Sequence, residues 1–152
     1  MNKGVLIDSC VVMDACLEFR INHKDARELL NRMAGAGIIC YISSHAYFEY
    51  AVAAITHFKR EPEKSRRHPI DLMTMPNLKL QVVKLDNEYV NQLLRILFGK
   101  PIPDLKSQDL IYFCIARDRG LTLITQDRKL RNTARKGGIE SLDTTESLRI
   151  LC

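Results

Sequence analysis

Short apolar segments alternate with segments of helical spacing along most of this chain. The apolar segments are rich in Val, Ile and Leu and cover residues 5–7, 38–42, 78–85, 121–124 and 139–142. Strands that are short and apolar on both faces are typical of a parallel sheet covered by helices on both sides. The alternation therefore predicts an α/β fold, a three-layer α/β/α sandwich around a central, mostly parallel sheet of four to five strands.

The intervening segments carry apolar residues at the spacing of amphipathic helices. They cover residues 11–19, 25–36, 43–58, 86–98, 107–119 and 127–135, with Ser9 as the cap of the first and Ser43 or Ser44 opening the third. The stretch 59–77 is polar, basic and punctuated by three prolines, which predicts a loop with one short helix. A length of 152 residues suits one domain, so residues 1–152 are predicted to form a single domain.

Apolar runs and cysteines limit where such a protein is expected to work. The longest apolar run, 110–116, is far shorter than the ~20 residues that cross a bilayer, and the first residues do not resemble a signal peptide. The five cysteines form no CxxC pair, which favours reduced thiols in the core over disulfides or a zinc site. We therefore expect a cytoplasmic protein that is not inserted in a membrane.

The charge is positive and concentrated in two stretches. A net charge of +5 favours an anionic partner, although many basic proteins share such a value. One stretch contains Lys59, Arg60, Lys64, Arg66 and Arg67, partly offset by two glutamates; the other contains Arg128, Lys129, Arg131, Arg135 and Lys136, without an acid. The second stretch makes Arg128, Lys129 and Arg131 candidate substrate-binding residues for a polyanion.

Acidic residues fall near the predicted carboxyl ends of the strands, where open α/β sheets bind their ligands. Asp8 directly follows the first strand, and Asp127 lies three residues beyond the fourth. Asp109 and Asp127 also suit ordinary helix starts, where acids stabilise the helix dipole. A carboxylate such as Asp8 after a buried strand needs a partner or a metal, and Glu49 interrupts an otherwise nearly uncharged helix.

Carboxylates drawn together repel one another unless a divalent cation neutralises them. Ligation by oxygen alone suits Mg²⁺ or Mn²⁺ and disfavours zinc. Such a site can hold a phosphate, activate a water and stabilise a leaving oxygen. Together with the basic stretches, which would hold the backbone of a polyanionic substrate, the four acids predict a metal-dependent enzyme that acts on phosphodiester bonds.

Three segments resemble PIN domains, and among these the VapC-type ribonuclease toxins. They are VLIDSCVVMD, YISSHAYFEY and, most specifically, SQDLIYFCIARDRGLTLITQDRKL. The resemblance implies an endoribonuclease that needs Mg²⁺ or Mn²⁺, forms a homodimer and, if it is a toxin, has an antitoxin protein as its partner. The family's catalytic and metal-binding acids fall on Asp8, Glu49, Asp109 and Asp127, with the hydroxyls of Ser9 and Thr125 supporting them.

Two departures and several alternatives accompany this interpretation. Cys10 stands where relatives often have Asn or another polar residue, which could weaken a hydrogen bond behind the ligands, and the stretch 59–77 is longer than in the smallest relatives. Glu49 either binds an ion or orients the attacking water. Asp104 is an extra ligand or a turn residue, and Asp14 a surface residue or a helper. The alternative functions are a non-catalytic PIN-fold module that binds RNA or protein, and a metal-dependent phosphatase.

Overall fold

A five-stranded parallel sheet forms the centre of the protein, whose computed structural model describes residues 4–60, 75–98 and 100–151. The strands are β1 Val5–Ile7, β2 Ile39–Ser43, β3 Lys79–Val83, β4 Thr122–Ile124 and β5 Ser141–Leu142. Their order is β3-β2-β1-β4-β5, and every neighbouring pair is parallel. The predicted parallel sheet is confirmed, with five strands. Most of the predicted loop 59–77, including Lys64, Arg66 and Arg67, lies outside the described residues.

Helices cover both faces of the sheet. Within the described ranges they are α1 Ser9–Cys16, α2 His23–Gly35, α3 Ser44–Arg60, α4 Asn87–Leu97, α5 Ser107–Arg119, α6 Arg128–Lys136 and α7 Thr144–Ile150. From β1 to β3 the chain steps towards one edge of the sheet, and from β3 to β5 towards the other. Because parallel crossovers are right-handed, α1 to α3 cover one face and α4 to α6 the other, which confirms the predicted sandwich.

The strand order reverses beside β1, whose neighbours β2 and β4 belong to the two directions of winding. In open α/β sheets such a reversal leaves a crevice beyond the carboxyl ends of the two strands. Strand β1 contributes Asp8 to this edge, and β4 contributes Thr125 through Asp127. The topology thus determines where the site described below can lie.

Most predicted helices are present, and the differences lie at their ends. Helix α1 begins at Ser9 and ends at Cys16, so the expected cap at Ser9 is wrong and Asp8 occupies the N-cap position. Its carboxylate makes no capping hydrogen bond, because other donors occupy it. Helix α5 has the predicted bounds and ends at Gly120, whose φ of 61° is a left-handed conformation that glycine adopts without strain.

Helix α7 was not predicted, although its sequence carries a start signal. Asp143 accepts a hydrogen bond from the backbone N–H of Glu146, whose carboxylate in turn accepts the N–H of Asp143. This reciprocal arrangement is a capping box, a pattern readable as an Asp followed three residues later by a Glu. The helix packs against α2 and so belongs to the first of the two helical layers.

Asp14 is a buried structural residue and not a surface residue, so that alternative is wrong. Its carboxyl side chain is 2% exposed and accepts hydrogen bonds from Arg20 Nε at 2.7 Å and Asn22 Nδ2 at 3.1 Å. These contacts tie α1 to the turn before α2. The charge of Asp14 is therefore neutralised within this turn.

None of the helices in the described ranges is long and apolar enough to cross a membrane.

Candidate active site at the carboxyl ends of β1 and β4

Asp8 is the most enclosed acid of the site. The residue is 6% exposed and directly follows β1, with a backbone N–H that donates to the Ile124 carbonyl of β4. Its Oδ2 accepts hydrogen bonds from Thr125 Oγ1 at 2.5 Å and Cys10 Sγ at 3.0 Å, and its Oδ1 accepts one from Ser9 Oγ at 3.3 Å. Three donors therefore fix the carboxylate and offset part of the cost of burying its charge.

Cys10 supplies one of these donors, in the place where the resemblance suggested a weakened contact. Its thiol donates to Asp8 and accepts the backbone N–H of Gln126 at 3.5 Å. Burial, the charge of Asp8 and the hydrogen bond to Asp8 all raise the pKa of the thiol well above its usual range. The thiol therefore stays protonated and acts as a donor rather than as a nucleophile.

Thr125 connects Asp8 with Asp127. Its hydroxyl donates to Asp8 and accepts the backbone N–H of Asp127 at 3.0 Å. Asp127 is the N-cap of α6, where its Oδ1 accepts the N–H of Leu130 at 2.8 Å. Asp127 thus caps the helix through Oδ1, while its Oδ2 takes no part in that cap.

Asp109 lies in the first turn of α5 and shares an electrostatic environment with these two acids. Burial raises its pKa first, followed by the charges of Asp127 and Asp8, while Lys106 and Lys129 act in the opposite direction. Asp109 therefore lies within electrostatic range of Asp8 and Asp127, although the three acids are far apart in the sequence.

Glu49 is less closely integrated. It lies on α3, where its Oε1 is 3.4 Å from Nε2 of His45, one helical turn earlier. Its charge acts on the hydroxyl of Tyr112. Burial first, then the charge of Asp8 and more weakly that of Glu49, raise the pKa of this phenol. Glu49 and Asp8 therefore both lie near the hydroxyl of Tyr112, a buried residue that the sequence analysis missed. Its position one turn after Asp109 could have drawn attention to it.

The acids offer only carboxylate oxygens as metal ligands, and such ligands suit Mg²⁺ or Mn²⁺. Among the described residues, no group of three or more His, Cys, Asp and Glu side chains has the arrangement of a finished metal site. Burial first, and then the charges of Asp127 and Asp8, disfavour the ionised form of Asp109 and raise its pKa. A hard divalent cation would offset the repulsion, so the chemistry of the site suits one.

The basic residues near the site have different surroundings. Arg131 is 14% exposed, donates from Nη1 to the Thr125 carbonyl at 3.0 Å and lies 3.6 Å from Asp143, so it braces the site from inside. Arg128 and Lys129 are exposed on α6 and line an open groove. Asp104 is 98% exposed and pairs with Lys129 at 2.9 Å, as a turn residue would.

The chain belongs to the PIN-domain family, because the PIN domain model matches residues 5–136. The fold is shared with VapBC2 from Rickettsia felis, solved with promoter DNA (17% identity, TM-score 0.60, 91% of this chain and 97% of that chain). It is also shared with PAE2754 from Pyrobaculum aerophilum (18%, 0.64, 99% and 97%) and with VapC20 of Mycobacterium tuberculosis, a sarcin-ricin-loop-cleaving toxin (13%, 0.58, 90% and 96%). No curated protein sequence matches the chain. At identities this low, the structural similarity shows a common fold and does not extend to function.

The raised pKa of Asp109, caused by burial and then by the charges of Asp127 and Asp8, predicts that Asp109→Asn stabilises the protein when chelator is present. At neutral pH the ionised carboxylate is disfavoured by the folded state, since its pKa is raised there, so removing the charge relieves that cost. We expect the melting temperature in EDTA to rise by about 1–3 °C, measured by thermal unfolding. Glu28→Gln, which removes the exposed acid of an ion pair with Arg32 on α2, is the matched control and should change it little. An unchanged or lower melting temperature for Asp109→Asn would contradict the repulsion.

Proposed function

We propose that this protein is an endoribonuclease that hydrolyses RNA with the help of Mg²⁺ or Mn²⁺. The observation that carries the proposal is the hydrogen-bonded connection of Asp8 through Thr125 to Asp127 at the crevice where the strand order reverses, with the charges of both acids acting on Asp109. Membership of the PIN family supports it, and so does the fold shared with VapC20, a sarcin-ricin-loop-cleaving toxin by its name. The chain is thus proposed to be the toxin of a toxin–antitoxin pair.

The side chains of the site would divide the reaction between them. Asp8, Asp109 and Asp127 would hold the metal ion, which supplies an activated water and neutralises the phosphate charge in an in-line displacement. Ser9, Cys10 and Thr125 keep the oxygens of Asp8 in place. Glu49 enters from α3, either as a further ligand or as the group that orients the water.

Exposed cations on α6 would bind the substrate's backbone. Arg128 and Lys129 line the open groove beside Asp127, and Lys136 lies further along the same groove. A row of cations on one helix face suits a chain of phosphates better than a small phosphoester. This favours the nuclease over the phosphatase alternative.

Asp8→Asn is expected to abolish metal-dependent RNA cleavage while leaving the fold intact. The amide keeps one acceptor oxygen for the surrounding donors but removes the charge that a divalent cation requires. The cleavage rate on a defined RNA with Mn²⁺ should fall by more than about 100-fold. Far-UV circular dichroism checks the fold, and Glu28→Gln, which removes an exposed acid on α2, should cleave like the unaltered protein.

Each outcome of this assay separates the candidate functions. RNA cleavage that persists in the presence of chelator, or in the Asp8→Asn variant, would contradict the proposal. RNA binding without cleavage in Mg²⁺ and Mn²⁺ would favour the non-catalytic module. Faster turnover of a small phosphoester than of RNA would favour the phosphatase.

Replacing Arg128 and Lys129 by Gln is expected to weaken RNA binding and its salt dependence together. Each cation that contacts a phosphate releases counterions, so the slope of log affinity against log salt should fall by about 0.7 for each one removed. Fluorescence anisotropy with single-stranded RNA at several salt concentrations measures this slope. Arg95→Gln on the exposed face of α4 is the matched control. An unchanged slope would place the RNA elsewhere.

Two protein partners, an antitoxin and a second copy of the chain, are proposed from the resemblance. Phe48, Val52 and Ile55 form an exposed apolar row on α3 beside Glu49, and Val90 and Leu94 are exposed on α4. Exposed apolar rows of this kind mark protein interfaces. Sedimentation velocity tests the homodimer directly, and a monomer at micromolar concentration would contradict it. A cognate antitoxin should sediment with the chain and suppress RNA cleavage.

A further inference from the structure

Tyr112 links the helix that carries Asp109 to the turn that carries Asp8. It lies one helical turn after Asp109 on α5, and the residue is 2% exposed. Its hydroxyl accepts a hydrogen bond at 3.3 Å from the backbone N–H of Ser9, the first residue of α1. The contact therefore joins two helices from opposite faces of the sheet, directly behind the acids.

The hydrogen bond at Ser9 serves a donor that the helix itself cannot satisfy. The first N–H groups of an α-helix have no carbonyl partner one turn earlier. The side chain of Asp8, in the N-cap position, does not serve these groups, because it is engaged by Ser9, Cys10 and Thr125. Tyr112 thus supplies from another helix a contact at the start of α1.

Ser9 continues the connection to Asp8. While its backbone N–H donates to Tyr112, its side-chain hydroxyl donates to Asp8 Oδ1 at 3.3 Å. One residue therefore joins the phenol of α5 to the carboxylate at the end of β1. Any displacement of α5 acts on Ser9 and, through it, on Asp8.

The hydroxyl of Tyr112 remains neutral in this environment. Burial, the charge of Asp8 and more weakly that of Glu49 raise its pKa above the ordinary range, and the contact with Ser9 only partly opposes them. A neutral phenol between acids can hold a hydrogen-bond geometry without adding another negative charge. A carboxylate in the same place would add to the repulsion already present at Asp109.

We propose that Tyr112 is a positioning residue that sets the separation of Asp109 from Asp8 and thereby the affinity of the site for Mg²⁺ or Mn²⁺. Tyr112 and Asp109 lie one helical turn apart on α5, and the hydrogen bonds of Ser9 to Tyr112 and to Asp8 connect this part of α5 to the carboxylate of Asp8. The link from Tyr112 through Ser9 therefore holds α5 against the turn that carries Asp8. The proposal rests on the proposed function for the presence of a metal at the acids.

Tyr112→Phe tests the link, because it keeps the buried ring and removes only the hydroxyl. Contacts behind metal ligands typically change affinity by about 10–100-fold, so the Mn²⁺ concentration for half-maximal thermal stabilisation should rise about 10-fold. RNA cleavage should fall at limiting Mn²⁺ and recover at saturating Mn²⁺, since the link acts on binding of the metal. A purely structural loss would lower cleavage at every metal concentration.

Tyr89→Phe is the matched control. It removes a tyrosine hydroxyl that donates to Asp118 at 2.9 Å, near the far end of α5. This variant should keep the Mn²⁺ midpoint of the unaltered protein. An equal shift in both variants would overturn the proposal, because it would show a general effect of losing a tyrosine hydrogen bond.

Ser9→Ala breaks the second half of the link and keeps the proposal falsifiable if Tyr112→Phe fails to fold. It should raise the Mn²⁺ midpoint as Tyr112→Phe does, and the double variant should be no worse than the more affected single one. Additive effects would overturn the link. If Mn²⁺ stabilises the unaltered protein and Tyr112→Phe has the same Mn²⁺ midpoint, this inference alone is overturned. No stabilisation of the unaltered protein by millimolar Mn²⁺ would overturn the metal site and the inference together.

Discussion

The hydrogen bonds around Asp8 hold the acid-bearing ends of the sheet together. A carboxylate beyond a buried strand is costly, and here Thr125, Cys10 and Ser9 all donate to it. Each donor also has a second contact, to Asp127, Gln126 or Tyr112. The burial of one charge therefore organises the ends of β1 and β4 and the starts of α1 and α6.

The reversal of strand order explains why this organisation can serve chemistry. Helices that leave β1 and β4 run on opposite faces, so the ends of these strands are covered by neither layer. Asp109 lies on α5, which comes after β3 in the chain, and the charges of Asp8 and Asp127 act on it. The strand order and the electrostatics therefore point to the same edge of the sheet.

Much of this could be predicted from the sequence, and the remainder depends on contacts made in three dimensions. The strands and helix α5 follow from apolar spacing and from Gly120, which are local signals. The acids followed from strand ends and the family pattern. Tyr112 could not be placed, since a tyrosine at a core position gives no sign of what its hydroxyl meets. Arg131 was grouped with substrate-binding cations, because sequence cannot show that its guanidinium turns inward to Thr125.

The double use of Asp127 has an evolutionary consequence. Its Oδ1 caps α6, and Asp8 joins the ends of two strands, so a substitution that removes the acceptor oxygens of either residue would loosen the fold as well as the site. Asp109 carries a charge that the folded chain disfavours, because burial and the charges of Asp127 and Asp8 raise its pKa, so a neutral replacement would cost the fold less. A lineage released from selection for activity would then shed Asp109 before the other two. Its descendants would keep a well-folded domain in which the first and last acids persist as traces of the vanished chemistry.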